Sequence, residues 1–425
     1  MIFFRKKKPS EIPDGFNLSD RPRVAILVEA TIPPVSRANL RMYWLAKGLI
    51  KEKKVLVNMI APSKDFKSRH SYFIEWIWMN QYPGISDLLY SKFRLPVRIW
   101  HFLASIASVI ILEYYSYRWR SGRGFSVIHA WNPLAGLAGV IAGKIIRRPV
   151  FVDFTDFYSD IATTDMPFFR TPLIWLENYV LRRAAKVFVV SEEMREHLIE
   201  IKDIQPEKIH VVPDGTDAET FVPCLNTDGI REKLGISAEA PLMVFHGDIK
   251  HDDGVDVLCN AFSVVLKRRP DARLLILGGG LYFEKGVRLL IDKLNIGHAV
   301  IAPGWIPHTE VPKYLNTCDI GAMTMRATLN HNYYLSFKLF EYWGCGKPIV
   351  VTRLSAISRV VKHGVNGLIV DNEDVEGFAS AFLELIENRE KARSLGAEGR
   401  RLVEKEYDWR QIMKKEIECY PDFNH

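Results

Sequence analysis

From position 21 onward, short apolar runs alternate with longer amphipathic stretches. Runs at 24–28, 55–60, 127–129, 150–154, 187–190 and 209–212 contain few polar residues. Continuous apolarity suits strands buried on both faces, as in a parallel sheet. A loop with Pro33, Pro34 and Ser36 leads from the first run into a helical pattern through Ile50. The turn Pro213-Asp214-Gly215 closes this series. A second series opens at Pro241, with strands expected at 242–245, 274–277, 299–302, 320–323 and 348–351. Helical patterns at 255–268, 283–294, 311–316, 336–344 and 375–387 separate them. Strands that alternate with helices give a parallel sheet covered on both faces. Two such series in tandem predict an α/β protein of two doubly wound domains. The expected division is a basic tail at 1–20, a first domain at 21–222, a second at 223–408 and a terminal helix at 409–425. Pro223 marks the hinge. Open parallel sheets bind ligands outside the carboxyl ends of their strands, so a nucleotide-sized cleft between the two domains is expected.

The composition is that of an ordinary globular protein: 425 residues, 48% hydrophobic and 25% charged. Five scattered cysteines, with no C-x-x-C pair, exclude a disulfide framework and a structural zinc site as organising features and suit a reducing compartment. The net charge of +7 is unevenly placed. Residues 1–120 hold 20 Lys and Arg against 9 Asp and Glu, a local +11. Such a front attracts phospholipid, lipid phosphate or nucleotide. No arginine-rich tract or nucleic-acid module accompanies it, so nucleic acid is not an expected partner.

The start, Met1-Ile2-Phe3-Phe4 followed by Arg5-Lys6-Lys7-Lys8, lacks the apolar core and cleavage site of a signal peptide. It reads as a solvated tail or a membrane-surface contact. The longest apolar run, 99–112, falls short of the roughly 20 residues needed to span a bilayer. It reads as a core helix, with a helix dipping into one leaflet as the rival. Trp76, Trp78, Trp100, Tyr114 and Trp119 interleave with Arg94, Arg98, Arg118 and Arg120 around it, a composition suited to a lipid–water interface.

The segment 333–348, YYLSFKLFEYWGCGKP, carries the most chemistry. Ser336 is a natural N-cap, and Gly344, Gly346 and Pro348 stop the helix. The helix start offers free N–H groups and partial positive charge, which suits a diphosphate. Lys338 in the first turn is unfavourable for the helix alone and sensible beside an anion. Glu341 lies one turn on, on the same face, so a plain surface Lys–Glu pair is the alternative.

Several segments, in order, resemble the family-4 retaining glycosyltransferases of GT-B fold, across about 177–370. They are Arg183-Ala184-Ala185-Lys186 with Val190-Ser191; Val211-Val212-Pro213-Asp214-Gly215 with Phe221-Val222-Pro223; Gly304-Trp305-Ile306-Pro307 through Asp319; Glu341 with the turn 344–351; and Gly364–Val370. The resemblance implies two Rossmann-like domains and a nucleotide-sugar donor, with no metal or other cofactor. By it Glu341 would accept the donor ribose hydroxyls. The backbone at Tyr334, Leu335 and Ser336, together with Lys338, would hold the diphosphate. Gly247, Gly278 and Gly279 would let the nucleotide approach closely. Two family features are missing. Tyr333 stands where a second acidic residue often touches the donor sugar, and Asp248 and Asp253 replace the usual Arg and Lys. The pattern Ser336-x-Lys338-x-x-Glu341-Tyr342 resembles a subgroup with P-x-K-x-x-E-Y, in which the helix lysine would replace those cations.

In the first domain, Asp156 follows the run 150–154 and resembles the aspartate of that subgroup. It is read as a catalytic or acceptor-binding carboxylate, or equally as a helix N-cap. His129 ends another strand and is expected to be packed, or to line the acceptor site. The expectation is therefore a retaining, metal-independent hexosyltransferase acting on a lipid-linked or cell-envelope glycan acceptor, cytoplasmic and peripheral to the inner face of the membrane. A non-catalytic GT-B protein binding partners in a glycan-assembly complex and a sugar-nucleotide epimerase are the alternatives. Gly278-Gly279-Gly280 lacks the G-x-G-x-x-G spacing of a dehydrogenase.

Overall fold

The computed structural model describes residues 22–28, 37–62, 71–74, 77–82, 124–160, 170–227 and 229–423, with four further positions between 103 and 110. The expected apolar run at 99–112 and its aromatic and basic neighbours lie largely outside these residues. The chain forms two compact units. Residues 2–212 make up one, joined by 413–425, and residues 213–412 make up the other.

The first unit holds an eight-stranded sheet of order β3-β4-β2-β1-β5-β6-β7-β8. Its strands are β1 (Arg23–Leu27), β2 (Leu56–Pro62), β3 (Ser71–Ile74), β4 (Ile77–Tyr82), β5 (Phe125–Trp131), β6 (Val150–Phe154), β7 (Lys186–Val189) and β8 (Ile209–Val211). All neighbours pair in parallel except β3 with β4, an antiparallel edge that the apolar pattern did not predict. The named helices are α1 (Arg37–Lys53), α2 (Asn132–Ile146), α3 (Arg170–Arg183) and α4 (Glu192–Glu200). Val24, Ile26, Val127, Val152 and Val187 are fully buried, as strands covered on both faces require.

The second unit holds a six-stranded, wholly parallel sheet of order β11-β10-β9-β12-β13-β14. Its strands are β9 (Leu242–Asp248), β10 (Arg273–Gly279), β11 (Val300–Gly304), β12 (Ile320–Met323), β13 (Ile349–Thr352) and β14 (Leu368–Val370). Alternate residues of β9 enter opposite cores. Met243 and Phe245 pack with α5 (Val255–Arg268) and α8 (Val375–Glu387), while Leu242 and Val244 pack with α6 (Val311–Thr317) and α7 (Phe337–Gly344). That two-sided burial explains why β9 reads as an unbroken apolar run rather than an alternating one. α9 (Arg389–Leu402) crosses α7, and Gly399 lies against Trp343. Residues 213–222 pack with this unit: Phe221 is buried in its core and Thr216 bridges to Asp408.

The last helix, α10 (Trp409–Glu418), contributes to both units. Trp409 meets Phe337 in the second unit, with ring centres 5.5 Å apart. Ile417 lies against Gly48 of α1, and Glu416 and Tyr420 enter the core of the first. Among the described residues no helix is long and apolar enough to cross a membrane.

Candidate functional site

In the second unit the carboxyl ends of β9 and β10 and the start of α7 converge. Gly247 and Gly278 are register partners at those ends, both with left-handed backbone (φ 120° and 129°). A Cβ on Gly278 would lie 1.9 Å from the Gly247 carbonyl oxygen, and one on Gly247 would lie 2.8 Å from Lys338 Cε. Only glycine fits either place. Gly279 runs beside Trp305, whose indole nitrogen would be 3.3 Å from an added Cβ. Four of the expected donor residues (Gly247, Gly278, Gly279 and Lys338) are thus brought together by strands and a helix distant in sequence.

Lys338 and Glu341 are not the surface pair weighed from the sequence. Lys338 Nζ donates to Asp253 Oδ1 at 2.7 Å and sits 4.3 Å from the centre of the Phe245 ring. Asp253 also accepts the Lys250 N–H at 3.0 Å. Burial pushes the Asp253 carboxyl up, but the Lys338 charge and hydrogen bond outweigh it and hold the group below the usual carboxylate range. One of the two aspartates that replace family cations is therefore the lysine's own counter-ion.

Glu341 is buried. Its Oε1 lies 2.8 Å from His308 Nε2, and its Oε2 lies 3.4 Å from His246 Nε2. Burial raises the Glu341 carboxyl, but His308, through its charge and its hydrogen bond, brings it below normal. Burial lowers His308, yet Glu341 leaves its pKa raised. His246 is buried and desolvation takes it down to about 4, so it stands neutral beside the carboxylate.

Ser336 occupies the N-cap position of α7, but its hydroxyl makes no capping bond; its carbonyl accepts the Leu339 N–H instead. Leu335 is buried in the core and leaves only its backbone for a ligand. Tyr334 is extended, donates its N–H to Asn330, and packs edge-on to His331.

In the first unit, Asp156 lies two residues beyond β6. Its Oδ2 accepts from Thr155 Oγ1 at 2.9 Å and Asn132 Nδ2 at 3.2 Å. Buried Glu177 secures the turn that follows, accepting from Ser159 N and Oγ at 2.8 and 3.0 Å and pairing with Lys202 at 2.8 Å. His129 takes the packed arrangement, the first of the two expected for it. It is fully buried, with Nδ1 2.6 Å from the Tyr420 hydroxyl, and it stacks on Phe188. It holds the returning C-terminal segment through Tyr420. His129, Asp153 and Glu416 place ligand-type atoms within 4.8 Å of one another. Arg41 already sets its guanidinium on both carboxylates, at 2.7 and 3.4 Å. A metal ion there would meet that positive charge, so the residues fit a buried ion-pair network better than a metal centre.

His308, His246 and Asn132 were missed from the sequence. Nothing local marks a histidine that will meet a glutamate 33 positions away. Asn132 before Pro133 was visible, but its partner in the next strand's loop was not.

This arrangement, two doubly wound units with a glycine-lined, lysine-bearing strand end in the second, defines the class by its architecture: a protein of GT-B fold. The sequence profile described as "Glycosyl transferases group 1" matches residues 226–402, and "Glycosyl transferase 4-like domain" matches 76–215. The chain belongs to the GT-B glycosyltransferases and is a glycosyltransferase using a nucleotide-sugar donor. It is 26% identical over 314 residues to a D-inositol 3-phosphate glycosyltransferase of Xylanimonas cellulosilytica, covering 71% of this chain and 73% of the relative. It is 30% identical to a GDP-mannose-dependent alpha-(1-6)-phosphatidylinositol monomannoside mannosyltransferase of Mycolicibacterium smegmatis, covering 47% and 52%. Most of the relatives are thus spanned for about half to three fifths of their length. The fold is similar to sucrose-phosphate synthase from Thermosynechococcus elongatus (TM-score 0.76, 18% identity, 94% of this chain and 98% of that one). It is also similar to Anabaena HepE in complex with UDP-glucose (TM-score 0.70, 18% identity, 93% and 98%).

Proposed function

We propose that the chain moves a hexose from a nucleoside-diphosphate sugar to a lipid-linked or envelope-glycan hydroxyl, with retention at the anomeric carbon and without a metal. The observation that carries the donor site is the convergence of Gly247 and Gly278 with Lys338 inside the matched domain. There a diphosphate would lie over glycine backbone beside a lysine. As the anomeric C–O bond breaks, charge grows on the diphosphate, and Lys338 with the N–H groups at the start of α7 would stabilise it more in the transition state than before. Glu341 would take the ribose hydroxyls, with His308 yielding Oε1 to them. In the first unit, Asp156 would orient the acceptor hydroxyl, whose oxygen forms the new bond and whose proton leaves to the carboxylate or the departing phosphate. A lipid-linked acceptor is supported by the relatives named for phosphatidylinositol mannosides. The charge of +11 over residues 1–120 supports peripheral association with the anionic inner face of the membrane.

The test is a panel of UDP- and GDP-sugars incubated with the purified full chain and with its Glu341→Ala and Lys338→Ala variants. Transfer should fall by at least ~100-fold in each variant. Near-normal turnover and UDP affinity in both would remove the donor assignment. The product's anomeric configuration by NMR decides retention.

A further inference from the structure

Asn132 stands at the junction of β5 and α2 with φ 63°, in the left-handed region, fully buried and followed by Pro133. A non-glycine residue rarely holds that backbone, and proline after it restricts it further. Such conformations persist only where the surroundings over-determine them, and they cluster at functional sites. The side chain shows what the strain achieves. Asn132 Oδ1 accepts from Thr155 N at 2.9 Å, Thr155 Oγ1 at 3.3 Å and Asp156 N at 3.3 Å. Its Nδ2 donates to Asp156 Oδ2 at 3.2 Å. One carboxamide therefore fixes the backbone on which Asp156 rides and also one oxygen of its carboxylate. An extended backbone at position 132 would aim the side chain elsewhere. Alanine would lose every one of these bonds, and aspartate would set a second carboxylate against Asp156.

We propose that Asn132 is the positioning residue for Asp156, its left-handed backbone being the strain that holds that carboxylate in one orientation for the acceptor hydroxyl. This rests on the role proposed for Asp156. The prediction separates function from stability. Asn132→Gly keeps the backbone without strain and deletes the carboxamide. A merely structural asparagine would lose stability on that change and leave the turnover of the folded molecules alone. A positioning asparagine should in addition lower the turnover of the molecules that fold.

The experiment uses the full chain and three donors, UDP-glucose, UDP-N-acetylglucosamine and GDP-mannose, following glycosyl transfer or release to water. With the best donor, N132G should lower kcat by about 10–100-fold, the scale of a misplaced reacting group. Donor KM should stay within about twofold in the folded molecules, while the melting temperature should fall, because glycine loosens the unfolded chain and the Thr155 and Asp156 N–H groups lose their acceptor. Amide hydrogen exchange at Thr155 and Asp156 should quicken at least tenfold, a readout that needs no turnover. D156A tests the parent reading, and N132G with D156A should be no slower than D156A alone. Full activity in D156A overturns the role of Asp156. An inactive D156A beside a fully active N132G, or unchanged exchange at Thr155 and Asp156 in N132G, overturns the positioning role.

Discussion

Asp253→Asn tests the electrostatics of the donor site most sharply, because it should improve binding. Asp253 holds Lys338 at 2.7 Å, and both side chains are largely buried (13% and 15% exposed). A diphosphate engaging the same ammonium would lie about 5 Å from the Asp253 carboxylate. At an effective dielectric near 20, like charges about 5 Å apart repel by about 3 kcal/mol. The residual exposure screens part of this and leaves about 1–2 kcal/mol, or roughly 5–30-fold in affinity. Asparagine keeps the shape and one hydrogen bond to Lys338 and removes the repulsion. UDP should bind the D253N chain about 5–30-fold more tightly by isothermal titration, while uridine, lacking phosphate, should bind unchanged. Lys338→Met should act in the opposite direction, since it removes the cation and leaves Asp253 buried and uncompensated. A UDP dissociation constant within twofold of the parent in D253N would place the diphosphate outside the field of this pair. So would an equal shift for uridine.

Three further outcomes follow from the geometry. Gly278→Ala would drive a Cβ to 1.9 Å from the Gly247 carbonyl at φ 129°, so it should cost about 2–4 kcal/mol in urea unfolding and abolish UDP binding. The His308–Glu341 pair should give a pH window. Glu341, lowered in the fold, contributes stability above its unfolded pKa that is lost as pH falls through its folded value. His308, raised in the fold, contributes below about pH 6.5 and loses it as pH rises through its folded value. The melting temperature of His308→Gln should therefore lose the decline above about pH 6.5 that the parent shows; identical pH profiles would dismiss the pair as a stabilising contact. Arg41→Met would leave Asp153 and Glu416 buried without their cation, so it should cost about 3–5 kcal/mol in unfolding. A loss below about 1 kcal/mol would mean that the network relaxes.

Local pattern determined the elements of this protein. The run at 242–245 is a strand buried on both sides, the pattern at 255–268 is a helix with those bounds, and Ser336 lies one residue before α7, because apolar periodicity, caps and glycine stops act over a few residues. The alternation of these elements, repeated twice, carried the α/β class. The antiparallel β3–β4 edge and α9 were not legible: the edge strands sit among aromatic and polar residues, and half of the α9 residues are charged. The partners of the chemical groups were decided only by tertiary structure. Lys338 and Glu341 share a helix face in any sequence reading, yet one is matched to Asp253 and the other to His308 and His246, because β9 itself and the loops after β9 and β11 bring those groups to α7. His129 could be expected to pack, but its partner Tyr420, 291 positions later, could not be read from the sequence. Asn132 and Asp156 meet because β5 and β6 are neighbours in the sheet. Burial and charge pairing depend on what lies across the fold, and no window along the chain contains that information.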